Sequence, residues 1–396
     1  MRCAGSSKNS AASVGNRAPP HGGGASGGVV SFASEDDGGG SQARCASSSK
    51  NRAGKFAGMT VAVDDDVFAS LVEPLRRELT VHCYRMAGSI HDAEDLVQET
   101  YLRAWRGFHS FENRSSVRTW MYRIATNVCL TALDGRARRP MPTGFGQPSS
   151  DPYGALDPRP EVTWLEPVPD SVVWGGSADD PAAEVVDKES VRLAFIAALQ
   201  HLTPPQRAIL ILRDVLAWQA SEVAELLNMS TAAVNSSLQR ARAQVHKLDP
   251  EGRDEPLDDE HAKELLADYV TAFENYDVER IVELLAEDAV WEMPPYLGWY
   301  EGSTAIGHLI ETHCPAERPG DQIMVPTSAN GQPAFGLYMK QPDGTHQAFQ
   351  LQVLTLSDKG VSHVGCFFDT ALFAQFGLPE VIDPGKTPTA KPTSSA

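Results

Sequence analysis

Two stretches carry the residue types that bind phosphate and unpaired bases. Between Asn113 and Arg139 there are six arginines (Arg114, Arg118, Arg123, Arg136, Arg138, Arg139) and one acid, Asp134. Trp120, Tyr122 and Asn127 are interleaved with them. Guanidinium groups release counterions from a phosphate backbone, aromatic rings stack on exposed bases, and Asn and Arg read base edges. The competing reading is a basic surface helix with core aromatics, which suits Trp120 and Ile124. The second stretch, Thr231 to Lys247, has no acid and carries Arg240, Arg242 and Lys247. A third group lies near the C-terminus. Trp291, Met293, Tyr296, Trp299, Tyr300 and Phe367 could line a ligand pocket, and Glu292, His308, His313, His363 and Asp369 could move protons. No spacing among them fixes a dyad, so core aromatics and ordinary histidines are the simpler reading.

The elements that position these residues can be read from periodicity. In DAEDLVQETYLRAW, Ala93, Leu96, Val97, Tyr101, Ala104 and Trp105 recur at three- and four-residue steps and make one apolar helical face, with Asp92 as a cap. The other face shows Glu94, Asp95, Gln98, Glu99, Arg103 and Arg106, with Glu99 and Arg103 one turn apart. Leu202-Thr203-Pro204-Pro205 predicts a helix start with Thr203 as cap and proline in the first turn. Two short helices follow, capped by Ser221 and Ser230. Val223, Ala224 and Leu227, then Val234 and Leu238, point inward, and Asn228 sits at the turn. A tight turn before a polar, basic helix is a helix-turn-helix pattern.

Between these blocks the chain changes character. Residues 140–187 hold nine prolines, nine acids and one base, Arg159, and read as an extended, non-helical linker. Inside it Trp164, Leu165, Glu166 and Pro167 form an apolar island suited to docking. Residues 1–58 are rich in Gly, Ser, Ala and Asn and read as a disordered tail, or as sequence ahead of a true start at Met59. The chain of 396 residues is long enough for two or three domains, and its net charge of −18 disfavours strong DNA binding by the protein alone. Six scattered cysteines without a CxxC pair argue against a zinc site or disulfide framework. No apolar run spans a bilayer and no signal peptide is evident, so a cytoplasmic protein without metal or cofactor is expected.

DAEDLVQETYLRAW with SSVRTWMYRIATNVCL, followed by LTPPQRAILILRDVLAWQASEVAELLNMSTAAVNSSLQRARAQV, resembles regions 2 and 4 of sigma-70-class factors, and more narrowly the extracytoplasmic-function (ECF) group. The resemblance covers residues 68–247 and implies region 2 at 64–139 and region 4 at 188–248. It implies that Asp92, Glu94, Asp95, Gln98 and Glu99 dock on the β′ clamp of core RNA polymerase. It assigns −10 promoter DNA to Asn113, Arg114, Arg118, Trp120, Arg123, Asn127, Arg136, Arg138 and Arg139. It assigns −35 DNA to Ser230, Thr231, Asn235, Ser236, Gln239, Arg240 and Arg242. The linker would run through the polymerase interior. Asn228 stands in place of the usual turn glycine, and Asn235 where lysine is common.

The C-terminal third reads as a separate α+β domain at 261–378, after a connector at 249–260 and before a second disordered tail at 379–396. Helices are expected at 261–276, 277–287 and 301–314, and strands near 322–329, 333–340, 346–357 and 360–369, forming a curved antiparallel sheet. This part resembles SnoaL-like cone domains, and WLEPVPD resembles the linker motif of the sigma factors that carry one. The whole is thus expected to be multidomain: two all-α sigma domains, a region 2 helical bundle and a region 4 helix-turn-helix, plus the cone. The expected partners are core polymerase, promoter DNA, an anti-sigma factor and a small-molecule ligand of the cone, with no membrane. The chain is expected to be a sigma factor and not an enzyme, with the cone regulatory rather than catalytic; the alternatives are a working isomerase or hydrolase for the cone and a plain helix-turn-helix repressor for residues 188–247.

Overall fold

Local signals set most of the helix boundaries. In the computed structural model, residues 66–111, 115–175, 188–248 and 258–385 are described. The 1–58 tail, Asn113, Arg114, most of the connector and the last residues of the chain lie outside them. Helix α1 (66–72) leads into α2 (Arg76–Ala87), which stops at Gly88 in the left-handed region (φ 73°). Helix α3 (Ile90–Gly107) is capped by Ser89, whose side chain accepts from the Asp92 amide, so the cap lies one turn before the expected Asp92. Ser116 caps α4 (Val117–Leu133) in the same way. Cys83 and Cys129 face each other between α2 and α4 as free thiols, Sγ to Sγ 3.7 Å.

Region 4 holds α6 (Leu193–Gln200), α7 (Pro204–Leu210), α8 (Ala220–Leu226) and α9 (Thr231–Leu248). Thr203 caps α7 as expected, and with Gln206 it forms a reciprocal capping box. Ser221 is not the cap of α8: Gln219 and Glu222 make that box instead. Asn228 takes the left-handed turn (φ 52°) and Ser230 accepts from the Ala233 amide.

The linker is not wholly extended. It contains a 3-10 turn at Pro142–Phe145 and a short helix, α5 (Asp170–Trp174). The connector is also shorter than expected, because Asp258 caps α10 (Asp259–Glu274) through the amides of Glu260 and His261. Helix α11 (Val278–Leu284) ends earlier than expected and passes straight into strand β1 (Leu285–Glu292). Then come β2 (Trp299–Glu301), α12 (Ser303–His313), β3 (Gln322–Ala329), β4 (Gln332–Lys340), β5 (His346–Ser357) and β6 (Gly360–Phe367). Helix α13 (Leu372–Gln375) and strand β7 (Val381–Ile382) follow. The sheet order is β2-β1-β6-β5-β4-β3, with β7 also on β5. Two expectations change here. The sheet is mixed, because β1 and β6 pair in parallel. The domain runs past 378, because β7 pairs with β5 and Tyr338 donates to the Pro379 carbonyl (2.8 Å).

The sheet divides two cores by simple alternation. Phe335, Leu337 and Met339 point into the cone with Trp291, Val364 and Cys366. Ala334 and Tyr338 point the other way, with Val325, Leu351, Val353 and Phe367. That second face continues into one apolar core with Leu79, Met86, Leu165, Ile196, Leu199 and Ile209 of the helical regions and the linker. A sheet buried on both faces holds the sigma-like helices against the cone.

Candidate nucleic-acid interface and the linker beside it

The end of α2 is where four parts of the chain meet. The Tyr84 hydroxyl donates to the Glu166 carbonyl (2.8 Å), and the Glu166 amide donates to Gly88 O (3.0 Å). Burial pushes the Tyr84 phenol up, so it stays a donor. At the β3–β4 turn Asn330 is fully buried. Its Nδ2 donates to the Tyr84 oxygen (2.9 Å) and the Val191 carbonyl (2.7 Å), and its Oδ1 accepts from the Val168 amide (2.9 Å). Its own amide donates to Val168 O (3.0 Å). One side chain therefore ties the cone to region 2, the linker and the start of region 4. Asn330 and Gly331 both have positive φ (56° and 73°), as a two-residue hairpin turn requires. The Asn-Gly pair signals that turn in the sequence, although its burial does not follow from it. Arg207, also buried, donates to the carbonyls of Leu199, Leu202, Gln200 and, across to α2, Met86; burial lowers its guanidinium to about 10.

The arginine block lies around this junction, and most of it is engaged. Arg139 donates to Asp92 (2.9 Å), to Glu166 (3.1 Å) and to the Trp164 carbonyl (3.0 Å). Arg136 lies 3.6 Å from the same Asp92, and Arg138 donates to His201 (2.7 Å) and the Gly144 carbonyl (2.8 Å). Burial and then Arg138 hold the His201 imidazole below its ordinary value, so it accepts that bond as the neutral ring. Arg118 is held by Glu78 (2.7 Å) and Arg123 by Glu225 of α8 (2.9 Å). Trp120 stacks on Phe111 (4.7 Å between centroids), while Asn127 is exposed. The acidic face of α3 divides. Glu94, Asp95 and Gln98 are exposed, Glu99 pairs with Arg103 (2.6 Å) as expected, and Asp92 is turned inward to the arginines.

Helix α9 contrasts with this. Ser230, Thr231, Asn235, Ser236, Gln239, Arg240 and Arg242 are all exposed, over buried Val234, Leu238 and Ala241. Among the described residues, Arg242 alone of these is in an ion pair, with Asp214 (2.6 Å).

The linker island is docked on its own chain. Leu165 is fully buried, Pro167 and Val168 are buried, and Trp164 packs edge-on against Phe145. Upstream, the linker lies along the 295–301 segment. Ser150 and Arg159 amides donate to the Trp299 and Pro295 carbonyls (both 2.8 Å), and Leu297 donates to Asp157 O (2.9 Å). The 3-10 turn of the linker adds the Thr143 amide to Glu292 (2.8 Å).

The expected C-terminal residues separate. Glu292 and His363 do form a pair, His363 Nε2 to Glu292 Oε2 at 2.8 Å. It was invisible in the sequence because parallel β1–β6 pairing is not a local property. Burial pushes the Glu292 carboxyl up, but His363 and the Thr143 amide outweigh that and hold it below the ordinary range. Trp291, Met293 and Tyr296 line a cone cavity of about 230 Å³ with Phe273, His313, Gln322 and Phe368. Trp299 does not line it; its Nε1 donates to the Gln147 carbonyl (3.0 Å). Tyr300 is in the cone core, Phe367 is in the other core, His308 lies beside Glu311 and Tyr153, and Asp369 accepts from the Ala371 amide.

Residues 71–139 match the Sigma-70 region 2 family and residues 192–245 the Sigma-70 region 4 family. The two helical blocks thus define a sigma factor, and in this chain they are joined to a C-terminal α+β domain with a mixed sheet. The chain is 56% identical over 315 residues to the ECF RNA polymerase sigma factor SigG of Mycobacterium tuberculosis, covering 79% of this chain and 84% of the relative. It is 33% identical over 222 residues to SigJ of the same organism, covering 55% of this chain and 62% of that one. The crystal structure of M. tuberculosis SigJ has the same fold, with TM-score 0.54 and 24% identity over 78% of this chain and 100% of that one. The chain belongs to the extracytoplasmic-function family of RNA polymerase sigma factors and acts in promoter recognition. Among the described residues no helix is long and apolar enough to cross a membrane.

Proposed function

We propose that this cytoplasmic sigma factor is held closed by its own cone domain and opens on core polymerase. In the open form α9 reads the −35 element, and Arg118, Trp120, Arg123, Asn127, Arg136, Arg138 and Arg139 engage and melt the −10 element, together with Asn113 and Arg114. Glu94, Asp95, Gln98 and Glu99 meet the polymerase clamp, and a separate anti-sigma protein would compete for that same face. The observation that carries the closed state is Asn330, which ties the cone to Tyr84, Val168 and Val191 at once.

The geometry of a promoter requires opening. Elements centred about 25 base pairs apart lie roughly 85 Å apart at about 3.4 Å per step. Here α4 touches α8 through Arg123 and Glu225 (2.9 Å), and α9, at about 1.5 Å per residue, is short beside that span. The regions must therefore separate, and the linker must leave its present seat. We read the cone as regulatory rather than catalytic. Its cavity lining has no carboxylate, and the Glu292–His363 pair is made on the opposite face of β1 from Trp291, beneath the linker.

In vitro transcription with purified core polymerase tests this, comparing the full chain with Asn330→Ala. The closed-state reading expects more transcript from Asn330→Ala at limiting polymerase. An unchanged or lower yield from a folded variant refutes it. A truncation before α10 is a poorer test, because it removes the sheet face that shares a core with the helical regions.

A further inference from the structure

Where region 2, the linker and region 4 meet, a pocket of about 360 Å³ is lined by four guanidinium groups, those of Arg136, Arg138, Arg139 and Arg207. Among the described residues Asp92 is the one acid in its wall. Arg139 (2.9 Å) and Arg136 (3.6 Å) share it, and Arg139 also holds Glu166 (3.1 Å). The other two arginines have no acid partner among the described residues. Arg138 donates to the His201 ring and the Gly144 carbonyl. Arg207 is only 4% exposed and donates to the carbonyls of Met86, Leu199, Gln200 and Leu202. Those carbonyls satisfy its N–H groups but carry no net charge, so the buried cation lacks a counterion. Four guanidinium groups against the Asp92 and Glu166 carboxylates leave two positive charges unanswered. Guanidinium forks bind phosphate oxygens in pairs, and two unanswered charges match a diphosphate better than a single carboxylate. Thr163 and Gln200 add a hydroxyl and an amide. The rest of the wall is aliphatic, with no aromatic ring among the described lining residues. A base would find nothing to stack on, so the pocket reads phosphate and not an unpaired base.

We propose that this pocket binds a free diphosphate group, inorganic or at the end of a small phosphorylated metabolite, and that its occupancy holds regions 2 and 4 together. The holding rests on the closed-state reading above; the binding does not. The wall is built from three parts of the chain. Arg136, Arg138 and Arg139 follow α4, Thr163 is in the linker, and Gln200 and Arg207 belong to α6 and α7. A guest gains its full set of contacts only while the three are together. It must therefore favour the closed form, and closure must raise its affinity by the same factor. Promoter DNA is the competitor and not the occupant. It needs Arg136, Arg138 and Arg139 with the regions apart, whereas the diphosphate needs them with Arg207 alongside. The same three arginines thus serve two phosphate ligands in two states of the chain.

The test is calorimetric titration of the full chain with inorganic pyrophosphate, ADP and GDP, at constant ionic strength and without divalent cations, using sulfate as the control anion. One site per chain is expected, roughly tenfold tighter for pyrophosphate than for sulfate. ADP and GDP are expected to bind alike, because nothing in the wall reads a base. Tighter binding of both than of pyrophosphate identifies a nucleotide as the guest, and weaker binding an inorganic one. Arg138→Gln is expected to weaken pyrophosphate about tenfold, as the loss of one contact to a charged group does. Asp92→Asn is expected to tighten it several-fold by freeing Arg136 and Arg139. Saturating pyrophosphate is expected to slow amide exchange in α8, which lies outside the pocket and meets α4 through Glu225 and Arg123. Binding no tighter than that of sulfate, or indifferent to both substitutions, is adventitious and overturns the site. Binding without added protection of α8 overturns the holding alone. Failure of Asn330→Ala to raise transcription would remove the closed-state reading and leave the binding result standing.

Discussion

The two candidate DNA-reading elements are presented in opposite ways. On α9 every candidate −35 contact is exposed, and only Arg242 is in an ion pair among the described residues. Around α4 all five described arginines already have partners: Glu78, Glu225, Asp92, Glu166 and His201. Glu225 and His201 come from region 4, and Glu166 from the linker. The difference teaches that domain packing alone can set which half of a promoter is readable. A helix that reads duplex in the major groove needs only an exposed face. On the proposed reading, a block that grips separated strands is silenced when its guanidinium groups are held by other groups of the same chain.

The largest way to break this contrast is at Asn330. Replacing it with alanine leaves the Val168 amide and the Val191 carbonyl without their side-chain partner in a buried site, a loss of about 3 kcal/mol from closure. Affinity for a single-stranded −10 oligonucleotide should rise by up to about a hundredfold, while affinity for a −35 duplex stays as it was. Equal changes in both, measured by fluorescence anisotropy, would show that the asymmetry is only apparent.

The next effect separates the helical core from its exposed reader. His82 is fully buried beside Thr126, and burial and then Arg85 lower its imidazole to about 3. The folded state therefore keeps it neutral where the unfolded chain, with an ordinary value near 6.5, takes up a proton. Stability should be full above that value and fall by about 1.4 kcal/mol per pH unit below it, down to the folded value. Urea midpoints for His82→Gln, measured from pH 7 to pH 5, should decline less than the parent's. A parallel decline would remove His82 as the cause. A smaller effect belongs to α9: Arg240→Ala should lower −35 duplex affinity about tenfold, within the range for one good base contact, and leave −10 single-strand binding alone. The smallest is Glu225→Gln. It releases Arg123 from an exposed pair and should change single-strand binding less than about twofold; a larger gain would mean that this one pair is the principal mask.

Much of the architecture could be read from neighbours in sequence. Thr203, Asn228 and Ser230 announce their caps and turn because each acts on residues within four positions, and β3 to β6 alternate or break at Asp343-Gly344 and Asp358-Lys359-Gly360. The heptad-like face of α3 likewise names its own buried residues. What stayed hidden is what distant segments do to one another. Asp92 looked like part of a docking face until Arg139, 47 residues on, was found against it. The apolar island around Leu165 promised a docking partner, and the partner proved to be α2 and the cone of the same chain. Glu292 and His363 meet only because β1 and β6 run in parallel, and Asn330 becomes a hub only because a hairpin tip is buried.

The placement of Asn330 also has a consequence in time. It bonds Val168, which precedes it by 162 residues. At ribosomal rates of about 5–20 residues per second, that interval is roughly 8–30 s. Only in its later part, roughly the last 4–16 s at the same rates, after region 4 ends at Leu248, have region 2, the linker and region 4 all been made while the hairpin that fastens them does not yet exist. Chains stalled on the ribosome before Asn330 should therefore capture core polymerase more readily than released protein, and equal capture would count against this. If the closed state is the restrained one, as proposed above, every newly made molecule is competent before it is restrained, and translation itself provides a brief interval in which the restraint has not been built.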